Sequence, residues 1–276
     1  MSHEIIEKYS ICNGNVINND IEDINNNTSS EIVYEVIRVI DGVPLFLEEH
    51  MERLLKSSHM IDINLSCLVD KITSDIKKLI DINNKPNKNI KIQVYANKEG
   101  NINYSLFFIK SSYPDAELYK KGIAAILYKA MRKNPNAKVQ NSLLREEINK
   151  ELQKSNAYEA LLVNEQDCIT EGSKSNVFFV KNGMLYTSEK KDVLLGVTRS
   201  RIIELAKNLD INVVEKPIHK SFLNECDGLF ITGTSPKVLP ISRVDEILYD
   251  SPNNEVILRL MEAYDSLIEN YITSHK

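Results

Sequence analysis

Thr170-Glu171-Gly172-Ser173-Lys174-Ser175-Asn176-Val177-Phe178 sets one carboxylate beside a glycine and a run of small polar residues, then enters an apolar strand. Alone, Glu171 reads as a turn or cap glutamate. Its surroundings widen that reading. Upstream, Asn136-Ala137-Lys138-Val139-Gln140-Asn141 carries a lysine with few charged neighbours and leads into a helix. Downstream, Gly196-Val197-Thr198-Arg199 opens a helix whose apolar stripe is Ile202, Ile203, Leu205 and Ala206.

Strand and helix signals extend in both directions. Glu31 to Ile40 is rich in β-branched residues, Asp41-Gly42 is a hairpin signal, and Val43-Pro44-Leu45-Phe46 returns. Helices are expected from Glu48 and over Leu68 to Ile82, followed by strands Ile90 to Ala96 and Tyr104 to Ile109 joined at Gly100. Residues 14 to 30, rich in asparagine, read as loop. Ser111-Ser112-Tyr113-Pro114-Asp115 breaks the pattern and is the best linker. Beyond it come strand Gly122 to Tyr128, helix Leu143 to Gln153, and short strands at Ala160 to Val163, Val177 to Val180 and Met184 to Thr187. A helix from Val197 to Asn208, strands near Val213 and Leu229 to Thr232, and a closing helix Glu255 to Ile272 complete the chain. The expected fold is mixed α/β (α+β) in two lobes, a small N-terminal lobe over residues 1–115 and a larger one over 116–276 that carries Lys138.

Composition excludes several classes. The 276 residues are 26% charged and 42% hydrophobic, which is ordinary globular usage and neither disordered nor fibrous. A net charge of −5 without a basic block argues against nucleic acid, whose phosphates call for clustered Lys and Arg. No apolar run approaches a membrane span, and Met1-Ser2-His3-Glu4 has no secretory character, so a cytoplasmic protein is expected. Cys12, Cys67, Cys168 and Cys226 are scattered, without a CxxC pair, and read as free thiols. His50, His59 and His219 lack metal spacing and read as structural or surface residues; no metal site is expected.

Chemistry narrows the candidates. Covalent carbonyl chemistry needs an amine that can shed its proton, and burial or nearby cations can depress a lysine pKa. Lys138 is the candidate by context, although an isolated lysine is more commonly a surface residue. A carboxylate such as Glu171 beside a pyridine nitrogen favours its protonated form and makes the ring an electron sink. The turn before Val197 offers free N–H groups and a positive dipole end to an anion, with Thr198 as an added donor; it also reads as an ordinary N-cap turn. Thr232-Gly233-Thr234-Ser235 is a second hydroxyl-rich turn, and Arg53 is either a helix-surface partner of Glu49 or a phosphate clamp.

Together these segments resemble the fold-type IV pyridoxal phosphate enzymes, the class IV aminotransferases. That family includes branched-chain and D-amino acid aminotransferases and aminodeoxychorismate lyase. The resemblance runs from about Tyr34 to Val244. It is carried by Tyr34-Glu35-Val36-Ile37-Arg38-Val39, Glu49-His50-Met51-Glu52-Arg53-Leu54, Lys138-Val139-Gln140-Asn141, Glu159-Ala160-Leu161-Leu162, Thr170-Glu171-Gly172, Leu194-Leu195-Gly196-Val197-Thr198-Arg199 and Thr232-Gly233-Thr234, in family order. It implies pyridoxal 5′-phosphate as cofactor, Lys138 as the Schiff-base lysine and Glu171 as partner of the pyridine nitrogen. It also implies Arg53, Val197, Thr198 and Thr234 at the phosphate, Leu194 under the ring, and Tyr34 and Ser235 near the substrate.

The activity so implied is transfer of an amino group from a neutral or branched-chain-like amino acid to a 2-oxo acid, in a homodimer. The alternatives are β-elimination of the aminodeoxychorismate type, or a non-catalytic cofactor-binding homologue. The chain departs from the family at Ser29-Ser30-Glu31, where many relatives carry Gly-Asp-Gly, and at the arginine-free hairpin Tyr95 to Gly100. Pro236 removes an N–H that could grip a substrate carboxylate, and Lys174 adds a second amine to the Glu171 motif.

Overall fold

The computed structural model describes residues 4–20, 31–132 and 134–276. The chain divides into two compact units, one of Met1–Ser112, Ala137–Gln140 and Ile268–Lys276, the other of Tyr113–Asn136 and Asn141–Leu267. Most of the asparagine-rich segment, with Ser29 and Ser30, lies outside the described residues.

Unit 1 contains strands β1 (Tyr9–Cys12), β2 (Asn15–Asn18), β3 (Val33–Ile40), β4 (Val43–Pro44), β5 (Asn89–Ala96) and β6 (Ile102–Ile109), with helices α1 (Leu47–His59) and α2 (Val69–Ile82). The strands form one antiparallel sheet in the order β2-β1-β6-β5-β3-β4. Along β3, Val33, Glu35, Ile37 and Val39 are buried while Tyr34, Val36, Arg38 and Ile40 are half-buried, the period of two of a strand with unlike faces. The two helices bury Leu54, Ile72, Ile76 and Leu79 with Ile37, Ile92 and Phe108 of the sheet. The β1–β2 hairpin corrects the loop expected from residue 14. Asn13 and Gly14 both take positive φ, 51° and 88°, which an Asn-Gly pair adopts readily, and Asn15–Asn18 then pairs with β1.

The Lys138 segment belongs with unit 1, not with the lobe running on from residue 116. Main-chain bonds hold it there. Tyr34 N–H donates to Lys138 O at 3.0 Å, Gln140 N–H donates to Ile32 O at 2.9 Å, and Val139 bridges Val33. The segment thus continues the pairing at the start of β3, where β4 does not reach.

Unit 2 contains α3 (Ala116–Lys121), β7 (Ile123–Lys129), α4 (Ser142–Ser155), β8 (Glu159–Val163), β9 (Cys168–Gly172), β10 (Asn176–Lys181), β11 (Met184–Thr187) and α5 (Val197–Asn208). After these come β12 (Val213–Glu215), β13 (Ile218–His219), β14 (Gly228–Gly233), β15 (Lys237–Val244), β16 (Ile247–Leu248) and α6 (Glu255–His275), whose residues from 268 onward group with unit 1. The sheet runs β12-β11-β10-β14-β15-β7-β8-β9-β13, with β16 beside β15. Pairings are antiparallel except β11/β12, β15/β7 and β7/β8. Val177, Phe179, Leu229, Ile231, Leu239 and Ile241 build the core, and Ile148 and Leu152 of α4 pack on Ile126, Ala160 and Leu162. Strand β9 escapes a hydrophobicity pattern because two of its buried residues are Thr170 and Glu171.

Candidate active site

In unit 1 the chemistry centres on the beginning of β3. Lys138 is half-buried, its N–H donates to Ser57 Oγ at 3.2 Å, and its Nζ stands 4.7 Å from the centre of the Tyr34 ring. An aromatic face attracts an ammonium at that range. So Tyr34 and Lys138, singled out separately in the sequence, come together.

On the opposite face of β3, Glu35 is fully buried and receives Arg53 through Nε and Nη2, both at 2.8 Å, and His50 Nδ1 at 2.6 Å. Burial alone would raise the Glu35 pKa, but the Arg53 charge and the bonds from His50 and Arg53 outweigh it and bring it down to about 2. Burial draws the His50 pKa below its usual value, against the pull of Glu35. Arg53 is therefore a guanidinium locked by two parallel bonds, which fixes its plane and leaves little side-chain entropy to lose on meeting an anion.

In unit 2, Glu171 of β9 is 2% exposed. One carboxylate oxygen accepts from Leu194 N–H at 3.1 Å and the other pairs with Arg132 Nε at 3.0 Å. Arg132 Nη2 also donates to Ser173 O at 3.1 Å. Leu194 in turn accepts at its carbonyl from Asn176 Nδ2 at 2.8 Å, so Glu171, Leu194 and Asn176 form one connected set.

The chain then enters α5 through Gly196. A Cβ on Gly196 would stand 2.2 Å from Asn176 Oδ1, so only glycine fits the approach. No side chain caps α5 and no acidic residue stands in its first turn, although Val197 and Thr198 are buried there. Tyr264 OH donates to Thr198 Oγ1 at 3.4 Å. Thr232 Oγ1 is buried without a hydrogen-bond partner among the described residues, and Thr234 and Ser235 are half-buried in the tight turn between β14 and β15.

The turn after Glu171 is fastened by Glu159, a 3% exposed carboxylate of β8. Its Oε1 accepts from Ala160 N–H (2.9 Å), Ser173 N–H (3.1 Å) and Ser173 Oγ (2.6 Å), and its Oε2 accepts from Ser175 Oγ (2.8 Å). Arg132 and the anchoring role of Glu159 were missed in the sequence. Arg132 lies in no motif, and Glu159 stands in the sequence only as the first residue of the family-like segment Glu159-Ala160-Leu161-Leu162.

These residues suit a phosphorylated pyridine. The start of α5 has N–H groups that no side chain caps, with a threonine hydroxyl beside them. Glu171 already accepts a cationic nitrogen, the acceptor geometry a protonated ring nitrogen would use. Among the described residues no cluster of His, Cys, Asp or Glu is arranged to hold a metal ion, and no helix is long and apolar enough to cross a membrane.

Residues 32–244 match the family model of amino-transferase class IV. The chain is 31% identical over 224 residues to the D-alanine aminotransferase of Bacillus licheniformis, spanning 77% of this chain and 78% of that one. Its fold superposes on the branched-chain amino acid aminotransferase of Escherichia coli with a TM-score of 0.87 at 24% identity, covering 95% of each chain. It also superposes on the branched-chain amino acid aminotransferase of T.th., solved with pyridoxamine 5′-phosphate, with a TM-score of 0.84 at 24% identity over 97% and 96% of the two chains. With the Glu171 set, the open start of α5 and a family match over most of its length, the chain belongs to the class IV aminotransferases, fold-type IV enzymes that use pyridoxal phosphate.

Proposed function

We propose that this enzyme transfers the amino group of a neutral amino acid to a 2-oxo acid, using pyridoxal 5′-phosphate, as a cytoplasmic homodimer. The observation that carries the reading is Glu171, a buried carboxylate already committed to a positive nitrogen. D-alanine and branched-chain amino acids, named for the relatives, share uncharged side chains, which supports a neutral donor.

The cofactor, when bound, supplies the electron sink that makes the substrate Cα–H acidic. Lys138 would attach it through Nζ and then carry the proton from the substrate Cα. Glu171 would keep the ring nitrogen protonated, with Leu194 N–H and Arg132 holding the carboxylate in place. The phosphate would be held by the first N–H groups of α5, at Val197 and Thr198, by the Thr198 hydroxyl and by Thr234, with Arg53 supplying the fixed guanidinium. Leu194 would cover the ring, and Tyr34 and Ser235 would line the substrate side.

An absorbance scan of the purified protein beside Lys138→Ala tests the assignment. The visible band of the lysine–cofactor linkage should be present in the wild type, bleach on adding a substrate amino acid, and be missing from the variant. L- and D-alanine, leucine and valine, assayed with pyruvate and 2-oxoglutarate, identify the donor and its handedness. Absence of transfer from every donor, with pyruvate released from aminodeoxychorismate, would replace transfer with elimination. Light scattering at micromolar protein tests the dimer.

A further inference from the structure

The turn that presents Glu171 also presents Lys174, and the fold holds that amine in a fixed place. Ser173 and Ser175 on either side of it are bound to Glu159, Ser173 N–H reaches Ala160 O at 2.8 Å, and Gly172 N–H donates to Ser175 O at 2.8 Å. Lys174 itself keeps an exposed surface. Ala160 is also where α4 arrives, because Leu144 packs against the cluster that contains it. The next residue, Arg145, is half-buried and its Nη1 is buried with no hydrogen-bond partner.

Neither Lys174 nor Arg145 has an ion-pair partner among the described residues. Loss of water and then the Arg145 charge lower the Lys174 pKa, with the Glu159 charge opposing. Glu159 supplies the opposing charge but makes no ion pair with Lys174, its oxygens being engaged by two N–H groups and two serine hydroxyls. Arg145 stands near the N-terminal end of α4, where the helix dipole disfavours a cation and the first turn holds no acidic residue. Two cations, one with a buried unused donor, are thus brought together where an anion would relieve both.

The adjoining turn carries Ser235, placed on the substrate side in the reading above. A Cβ on Gly233 would stand 3.7 Å from Lys174 O, so the Thr234-Ser235-Pro236 turn lies against this one, and Pro236 has no N–H to offer a carboxylate. We propose that Lys174 and Arg145 bind a carboxylate group of the substrate. This rests on the transaminase reading above.

Calorimetric titration of the holoenzyme with propionate and with glutarate tests the site without turnover, since neither ligand has an amino or oxo group. Lys174→Ala should weaken glutarate at least tenfold, Arg145→Ala should weaken it severalfold, and Lys174→Arg should restore most of the loss. Equal loss for propionate assigns the pair to the carboxylate next to the reacting carbon; loss for glutarate alone assigns it to a distal carboxylate. KM should follow, rising for pyruvate and 2-oxoglutarate in the first case and for 2-oxoglutarate alone in the second. Unchanged affinity for both ligands in Lys174→Ala, or no binding of either by the wild type at millimolar concentration, overturns the proposal. A protein that binds both acids yet transfers no amino group keeps the site and loses the transaminase reading.

Discussion

Glu35 in unit 1 and Glu159 in unit 2 are both buried carboxylates, at 0% and 3% exposure, and the fold accommodates them by opposite means. Glu35 is answered by the charge of a bidentate arginine, with His50 as a further hydrogen-bond partner. Glu159 is answered by dipoles, two N–H groups and two hydroxyls. Charge fixes a side chain, here the Arg53 fork, at the risk of leaving an uncompensated ion if one member is lost. Dipoles fix a main-chain turn, and the loss of one donor is shared among those left.

The largest break in this comparison is Glu35→Ala, which strands Arg53 beside a buried histidine and should cost about 3–5 kcal/mol in urea unfolding. A cost below about 1 kcal/mol would show that Arg53 simply turns to solvent. Acid tests the same pair. A carboxylate depressed from 4.5 to about 2 stabilises the fold fully above its unfolded pKa and loses that contribution as pH falls through its folded one. Stability in unit 1 should therefore drop by about 3 kcal/mol between pH 4.5 and 2, a slope that Glu35→Gln should remove. His50, whose pKa is also lowered, adds a loss in the same direction, starting below 6.5.

On the dipole side, Gly172→Ala would drive a Cβ to 2.0 Å from Ser175 Oγ and 3.1 Å from Glu159 Oε2. The hydroxyl is held by Glu159, so the turn must shift, at a cost of about 1–3 kcal/mol in thermal unfolding. Ser175→Gly in the same chain should recover much of that loss. Ser175→Ala alone removes one of four donors and should cost only about 1 kcal/mol. If it matched Glu35→Ala, the contrast between charge and dipoles would fail.

The sequence made the local elements legible where a pattern repeats. The Asp41-Gly42 hairpin and the helix from Val197 to Asn208 stand as expected from turn residues and apolar spacing. The β1–β2 hairpin was hidden because Asn15–Asn18 has only Val16 and Ile17 as strand residues among asparagines. Glu171 was readable from its motif, whereas Arg132 was not, since an ion pair across distant segments leaves no periodic trace. The membership of Lys138 in unit 1 was hidden for a similar reason. Two main-chain bonds, which together make the Val33–Val139 bridge, tie it to the start of β3, and backbone bonds leave no mark on side-chain identity.

Those pairings make Lys138 an interchangeable part. The bonds of its peptide to Tyr34 and Ser57, and the Gln140 N–H bond to Ile32 O, use main-chain atoms of the 137–140 segment. Truncating the side chain leaves the mount in place and opens a slot the size of a short alkylamine. In Lys138→Ala, small primary amines added to the buffer would enter a seat that the backbone has already built. The amine proposed to react is carried on a frame built from main-chain bonds.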